Sequence, residues 1–500
     1  MLKERLSNIL LYLLIFIVML SIILLKPAGD LDELWNYNFA RNICNGLIPY
    51  RDFNMIITPL LSIICGIILK ITFNELVVMR ILASILCSLI FYMIYRLFRI
   101  LNIKKEISII FLFLIGYLFK DVLCIDYNYA SLLVTLIIIY NEIKVYKQSN
   151  EFIQVNIRQD IFLGILAGLA ITLKQTTGLF ICIALLGNKL LFVKNKEDFN
   201  YYIKSFLYRM IGILISVGLM IIYLIINNAL GDFVSYTIKG VSGFSNYISY
   251  KNLIKFDLIG ILSILVPAMF GYEWIKTIYF EENRLAYIFL VYGLAMFVVC
   301  FPISNEIHFF IGALPIIILT VYEIYNISKK IINNISNKKV YKIMIDFIIN
   351  FITIFIILFI SLYSIINLYR FFKETDNFSN LKHFKYINIS KGLEMQINIV
   401  NEYILKNDNV IILDASAAAY MIPIDRYNKD YDMFNKGNLG YKGEQKIIEQ
   451  IMENNTQYLI LKDEYSKNWQ TPMDIIEYVK ENKTKIGEIE IFDIYMNKRR

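Results

Sequence analysis

Runs of Ile, Leu, Phe and Tyr that approach or exceed the length of a membrane span recur along this chain from Asn8 to Leu368. A span needs roughly 20 apolar residues. Within lipid the backbone of such a run must satisfy its own polar groups, so the sequence is committed to a bundle of membrane helices. The composition agrees, with 57% hydrophobic residues. Lys3 and Arg5 precede the run Asn8–Leu25 in the manner of a signal peptide. No small-residue cleavage site follows, and the segment reads as a retained first helix.

The formal net charge of +8 is not a nucleic-acid footprint, because the Lys and Arg residues sit mainly in short loops between apolar runs. There they orient a membrane protein. All six cysteines fall within the apolar part, with no metal-type spacing and no disulfide framework.

The charge pattern sets an expected topology. With the N-terminus inside, the first helix delivers Gly29–Phe53 to the outside. If Met55–Phe73 crossed fully, Arg96, Arg99, Lys104 and Lys105 would be left outside, against the positive-inside rule. That run, which contains Pro59 and Lys70, is therefore expected to lie in or re-enter the outer leaflet, and Val77–Leu97 to cross inward. The alternation continues through Ile107–Phe119, Tyr129–Tyr140, Ile161–Leu173, Thr176–Val193, Phe206–Ile226, Phe256–Ile275, Leu285–Phe301, Phe309–Tyr325 and Ile343–Leu368. Basic residues mark the inside at Lys194, Lys196, Lys204 and Arg209, and again at Lys329, Lys330, Lys338 and Lys339. The count is about eleven crossings, N-terminus inside and C-terminus outside.

Several of these crossings are short. Ile161–Val193 as one helix would be about 50 Å long at 1.5 Å per residue, against a hydrocarbon core of roughly 30 Å. It must break, and Lys174-Gln175 is the break. Short helices that end at polar residues are tolerated where they line a wet cavity, so an outward-facing cavity is expected in the outer half of the membrane.

After Tyr369 polar content rises and helix and strand signals alternate. Ser390 is placed to cap a helix through Leu405, Val410–Leu413 and Tyr458–Leu461 read as strands, Gly443–Glu453 and Met473–Glu481 as helices, and Ile486–Tyr495 as one alternating strand. The expected architecture is a polytopic α-helical membrane protein over residues 1–369, with a first external loop at 27–55. A small extracytoplasmic α/β domain follows over 370–500.

Four polar stretches fall on the expected outer side. The first holds Asp30, Asp32, Glu33, Trp35 and Tyr37, then Tyr50-Arg51-Asp52. It suits a solvated loop with interfacial aromatics, and equally a general base or a divalent metal. The second, KDVLCIDYNYASLL, places Asp121, Asp126 and Asn128 between short helices, with Asn128 expected to cap the next one. The third, LKQTTG, carries Lys174. Such a lysine either snorkels or, as an ionisable group inside the membrane, binds an anion such as a carboxylate or a lipid phosphate. The fourth, PISNEIHFF, holds Glu306 and His308, one of two histidines, which reads as a phosphate donor, a proton shuttle or a surface residue.

In their order these stretches resemble the GT-C superfamily of membrane glycosyltransferases, which includes the protein O-mannosyltransferases and the aminoarabinose transferases of lipid A. The resemblance rests on DELW, on YNFARNICNGLIPYRDF with its following TPL, and on DYNYASLLV, LKQTTGL and PISNEIHFFIGALP, over roughly Met1–Tyr325. It implies a bacterial hexosyl- or pentosyltransferase of the cytoplasmic membrane. The donor would be a polyprenyl-phosphate sugar, and the acceptor an envelope glycan, lipid or protein at the outer face. It makes Asp32 the general base and Glu33 its positioning partner or an ion ligand. Lys174 and Gln175 would contact the donor phosphate, with Asp126, Asn128, Arg51, Asp52 and His308 as further substrate contacts. It fixes no cofactor and leaves room for a divalent metal. The α/β tail stands where the mannosyltransferases carry a β-trefoil, which leaves the acceptor open. Membrane lipids are expected partners and nucleic acid is not. A flippase or transporter for lipid-linked sugars, or a non-catalytic envelope-assembly protein, would share the cavity and short helices.

Overall fold

The computed structural model describes residues 2–28, 31–149, 153, 155–240, 249–280, 284–335, 339–373, 378–407, 409–453, 456–463 and 470–497. Asp30 and Lys338 lie outside them. The helices are α1 (Leu2–Leu24), α2 (Leu31–Cys44), α3 (Leu60–Ile71), α4 (Leu76–Ile100), α5 (Lys105–Phe119), α6 (Tyr127–Ser149), α7 (Ile157–Leu173), α8 (Gln175–Gly187) and α9 (Lys196–Ile226). They continue with α10 (Leu230–Phe233), α11 (Leu258–Phe280), α12 (Arg284–Phe297), α13 (Glu306–Ile335) and α14 (Lys339–Lys373). The remaining elements are α15 (Lys391–Lys406), β1 (Val410–Ile412), α16 (Ala417–Met421), α17 (Gly443–Glu453), β2 (Gln457–Leu461), α18 (Met473–Asn482), β3 (Thr484–Ile489) and β4 (Phe492–Met496).

Eight helical segments among the described residues are long and apolar enough to cross a membrane: α1, α4, α6, α8 taken with its continuation to Phe192, α9, α11, α13 and α14. The three other runs expected to cross are α5, α7 and α12, of 15, 17 and 14 residues. At 12 residues α3 is about 18 Å long, well short of the hydrocarbon core. By contact the chain forms two units, one of 1–23, 83–219 and 247–369, the other of 24–82, 220–246 and 370–500.

In the first unit the break at Lys174 is a one-residue extended link (φ −151°, ψ 112°) between α7 and α8. It folds the two helices back as a tight hairpin, and Gly178 makes the closure: a Cβ there would lie 2.2 Å from Ile171 N. Helix α7 also meets α9 backbone to backbone, since a Cβ on Gly164 would lie 2.1 Å from Arg209 O and one on Gly212 2.2 Å from Ile161 O. Small residues at such crossings let membrane helices approach where no hydrophobic effect drives them together.

Not every expectation holds in this unit. Tyr129–Tyr140 was expected as a short crossing, yet α6 runs on to Ser149. The polar residues that argued for its end are paired inside the bundle. Glu142 accepts from Arg209 Nη2 (3.0 Å) and Asn188 Nδ2 (2.5 Å), and Arg209 Nε reaches Asp160 at 3.0 Å. A buried charge network of this kind carries a helix past residues that would otherwise stop it.

In the second unit the C-terminal segment builds a four-stranded sheet in the order β1-β2-β4-β3. Strands β1 and β2 are parallel, and β4 is antiparallel to both β2 and β3. Ser390 caps α15 by accepting from Leu393 N. The stretch expected as a single strand over Ile486–Tyr495 is a hairpin instead, turning at Glu490, whose φ is 47°. Alternation continues through so short a turn, which hides the reversal from a period-2 reading. Ile447, Ile451, Tyr458, Ile475 and Val479 close the core beneath the sheet.

Candidate functional site

The first-unit cluster forms where short helices end. Asp126, expected as a substrate contact, is buried and accepts from Asn128 N at 2.7 Å, so it rather than Asn128 closes the first turn of α6. A carboxylate suits that position, which faces the positive end of the helix dipole. One residue into the helix, Asn128 turns its side-chain oxygen to the Lys174 ammonium at 2.5 Å. The same ammonium lies 5.5 Å from the Tyr127 ring and acts electrostatically on His308 and Cys300. His308 Nδ1 faces Asn305 Oδ1 at 2.6 Å. A carboxamide oxygen accepts, so Nδ1 is the donor in that contact. Gln175 opens α8 directly after Lys174. Three stretches far apart in sequence thus bring Asp126, Asn128, Lys174 and Gln175 together, with His308 within electrostatic reach of Lys174.

The second-unit cluster is α2. What read as a loop is a helix, with Asp32 and Glu33 in its first turn. Successive helical residues point about 100° apart, and the two carboxylates have separate surroundings. Glu33 is buried, its oxygens each 2.9 Å from the fully buried Arg80. Arg80 also donates to Lys26 O at 2.5 Å. Asp32 is only half-buried. Arg80 was missed because it opens an otherwise apolar run, although an intramembrane arginine is itself a signal of a partner.

Trp35 and Arg41 of α2, with Asn54 beyond its end, hold the C-terminal segment. Trp35 Nε1 donates to Ala415 O (2.8 Å), Arg41 Nη2 to Arg426 O (2.6 Å), and Asn54 Nδ2 to Asp432 O (2.6 Å). His383 joins them, with Nε2 2.6 Å from Asp425 Oδ1 and Nδ1 2.5 Å from Asn74 O. Burial drives the Asp432 carboxyl up to about 7, although the Asn428 amide and the Arg41 charge pull the other way. Burial also raises Asp425, but hydrogen bonds from Lys382 and His383 carry it below its ordinary value. Arg51 and Asp52 pair with each other through two contacts of 2.8 Å, and Asp52 accepts from Ile48 N at 2.7 Å. They brace the turn after α2.

Among the described residues no group of three or more His, Cys, Asp or Glu is placed to hold a metal ion. With Glu33 taken by Arg80, the α2 carboxylates do not form a metal-binding pair, and no step below passes through a metal.

No protein-family model and no curated protein matches the sequence. Solved structures do resemble the model. ArnT from Cupriavidus metallidurans, bound to undecaprenyl phosphate, aligns over 99% of this chain and 98% of its own, with 10% identity and a TM-score of 0.54. Archaeal oligosaccharyltransferase AglB from Archaeoglobus fulgidus, in complex with an inhibitory peptide and a dolichol-phosphate, aligns over 99% and 75%, with 13% identity and a TM-score of 0.51. The Archaeoglobus fulgidus oligosaccharyltransferase with zinc and sulfate aligns over 97% and 73%, with 14% identity and a TM-score of 0.50. This chain has the fold of the GT-C membrane glycosyltransferases.

Proposed function

We propose that the protein transfers a sugar from a polyprenyl-phosphate carrier to a nucleophilic group of an envelope glycan, lipid or protein, on the outer face of the cytoplasmic membrane. The observation that carries this reading is the contact of Lys174 with Asn128 at the ends of shortened helices, with His308 within electrostatic reach, in a fold shared with an ArnT that binds undecaprenyl phosphate.

The chemistry needs two things. The acceptor must lose a proton as it attacks the anomeric carbon, and the phosphate must leave with the electron pair of the bond that breaks. Asp32 takes the proton: it lies in a partly open position in the first turn of α2. Lys174 takes up the charge growing on the leaving phosphate. In the present structure Asn128 Oδ1 holds the ammonium, and a phosphate oxygen is the stronger acceptor to replace it. Gln175 donates to the same group through its side-chain amide. Arg80 fixes Glu33, and through it the start of α2 that carries Asp32.

Transfer from a labelled polyprenyl-phosphate sugar tests the reading. Asp32→Asn should lower turnover by about 10²–10⁴-fold while leaving donor binding intact. A loss smaller than tenfold would move the base elsewhere.

A further inference from the structure

Helices α1, α5 and α14, all of the first unit, enclose an apolar cleft of about 280 Å³ that takes no part in the site above. The three helices are pinned at one end. Lys105 Nζ donates to Ser7 Oγ at 2.8 Å, and Lys104 Nζ to Asp346 Oδ1 at 2.7 Å. From there the cleft runs along α5 from Ile109 to Lys120, about 16 Å at 1.5 Å per residue. One leaflet of the hydrocarbon core is about 15 Å deep, so the cleft is as long as one leaflet.

Its polar groups lie at the other end. Among the described residues that line it, Lys120 carries the one charge, and Tyr117 on α5 and Tyr363 on α14 are its tyrosines. The Lys120 ammonium sits 4.4 Å from the Tyr117 ring. A cation beside a tyrosine, one leaflet away from the apolar floor, is the arrangement that meets a lipid headgroup at the membrane surface. Gly116 faces the cleft midway and keeps it open.

We propose that this cleft is a binding site for one anionic phosphoglycerolipid, its acyl chain lying between α1, α5 and α14 and its phosphate on Lys120. Lys120 selects an anionic headgroup, and the one-leaflet length favours an acyl chain over a much longer isoprenoid. The leaflet to which the site opens is the outer one, given the orientation proposed above; the site itself does not depend on the transfer reaction.

The test uses the full chain in nanodiscs containing phosphatidylglycerol or phosphatidylcholine, doped with the same lipid carrying a diazirine on its acyl chain. Adducts are mapped by peptide mass spectrometry, with α9, a lipid-facing span only 28% buried, as the reference for annular lipid. Adducts on α1, α5 and α14 should exceed those on α9 for phosphatidylglycerol and match them for phosphatidylcholine. Lys120→Gln should weaken competition by unlabelled phosphatidylglycerol about tenfold or more, as expected for a lost charge-assisted hydrogen bond, and Lys120→Arg should restore part of it. Gly116→Leu fills the cleft without touching the charge; a Cβ there meets Phe91 at an ordinary 3.5 Å. It should abolish the excess adducts while the helix folds. Equal labelling of the cleft and α9 by phosphatidylglycerol would overturn the proposal. So would an unaffected Gly116→Leu variant, or polyprenyl phosphate competing better than phosphatidylglycerol.

Discussion

Asp32 and Glu33 are neighbours in sequence and opposites in environment: one is half-buried, the other is locked between two guanidinium nitrogens of Arg80. Lys174 makes a similar distinction testable. If it only snorkels, Lys174→Met is tolerated, since methionine suits apolar surroundings. If it holds the donor phosphate, Lys174→Met should weaken apparent donor affinity about tenfold or more, with partial recovery in Lys174→Arg because the charge is kept but not its compact shape. Donor affinity at saturating acceptor is the measurement, and no change in the methionine variant would return Lys174 to a purely structural role. Asp432 carries a pH prediction. Burial raises its carboxyl from 3.8 in the ordinary state to about 7 in the folded protein. Between those values the folded state keeps a proton that the unfolded state has released, so its stabilising contribution is full below about 4 and is lost as pH rises through about 7. The melting temperature of the wild type should fall from pH 5 to pH 8 more steeply than that of Asp432→Asn. Parallel melting curves would show that the group does not titrate there.

Among the elements, the α7–α8 hairpin was readable before any coordinates, because length arithmetic left Lys174-Gln175 as the break. What closes it was not. Gly178 is unremarkable in sequence, yet a Cβ there would meet Ile171 N at 2.2 Å and Ile171 Cα at 2.3 Å. Gly178→Ala should therefore cost roughly 1–3 kcal/mol, the usual range for overpacking. Gly218→Ala on α9, where nothing lies within 4 Å, should be neutral or stabilising by up to about 1 kcal/mol. Thermal unfolding in detergent compares them, and equal effects would contradict the close approach. The strands Val410–Leu413 and Tyr458–Leu461 were readable as short unbroken apolar runs, and the helix Gly443–Glu453 by its helical apolar repeat. Helix α6 was cut short in the reading, because Glu142 looks like a terminus until Arg209, 67 residues away, is seen to pair with it. The docking of α2 onto residues 383–432 escaped for the same reason. Long-range polar pairing leaves no periodic trace, whereas the Lys174, Asn128 and His308 stretches announced themselves as polar breaks in apolar runs.

For the molecule as a whole, orientation and chemistry remain to be joined. Single cysteines at the exposed positions Lys196 and Lys406 should label from opposite sides of the membrane, Lys406 from outside, as the positive-inside pattern requires. Labelling of both from one side would contradict the proposed topology. The decisive measurement follows a doubly labelled polyprenyl-phosphate sugar in proteoliposomes holding the full chain and membrane-envelope acceptor, reading sugar on the acceptor and free polyprenyl phosphate together. The expected result is equal release of the two products by the wild type, falling about 10²–10⁴-fold in Asp32→Asn, with donor binding unchanged. Movement of intact donor from one leaflet to the other, with no sugar on the acceptor and no free carrier, would contradict glycosyl transfer and make the protein a transporter of lipid-linked sugars.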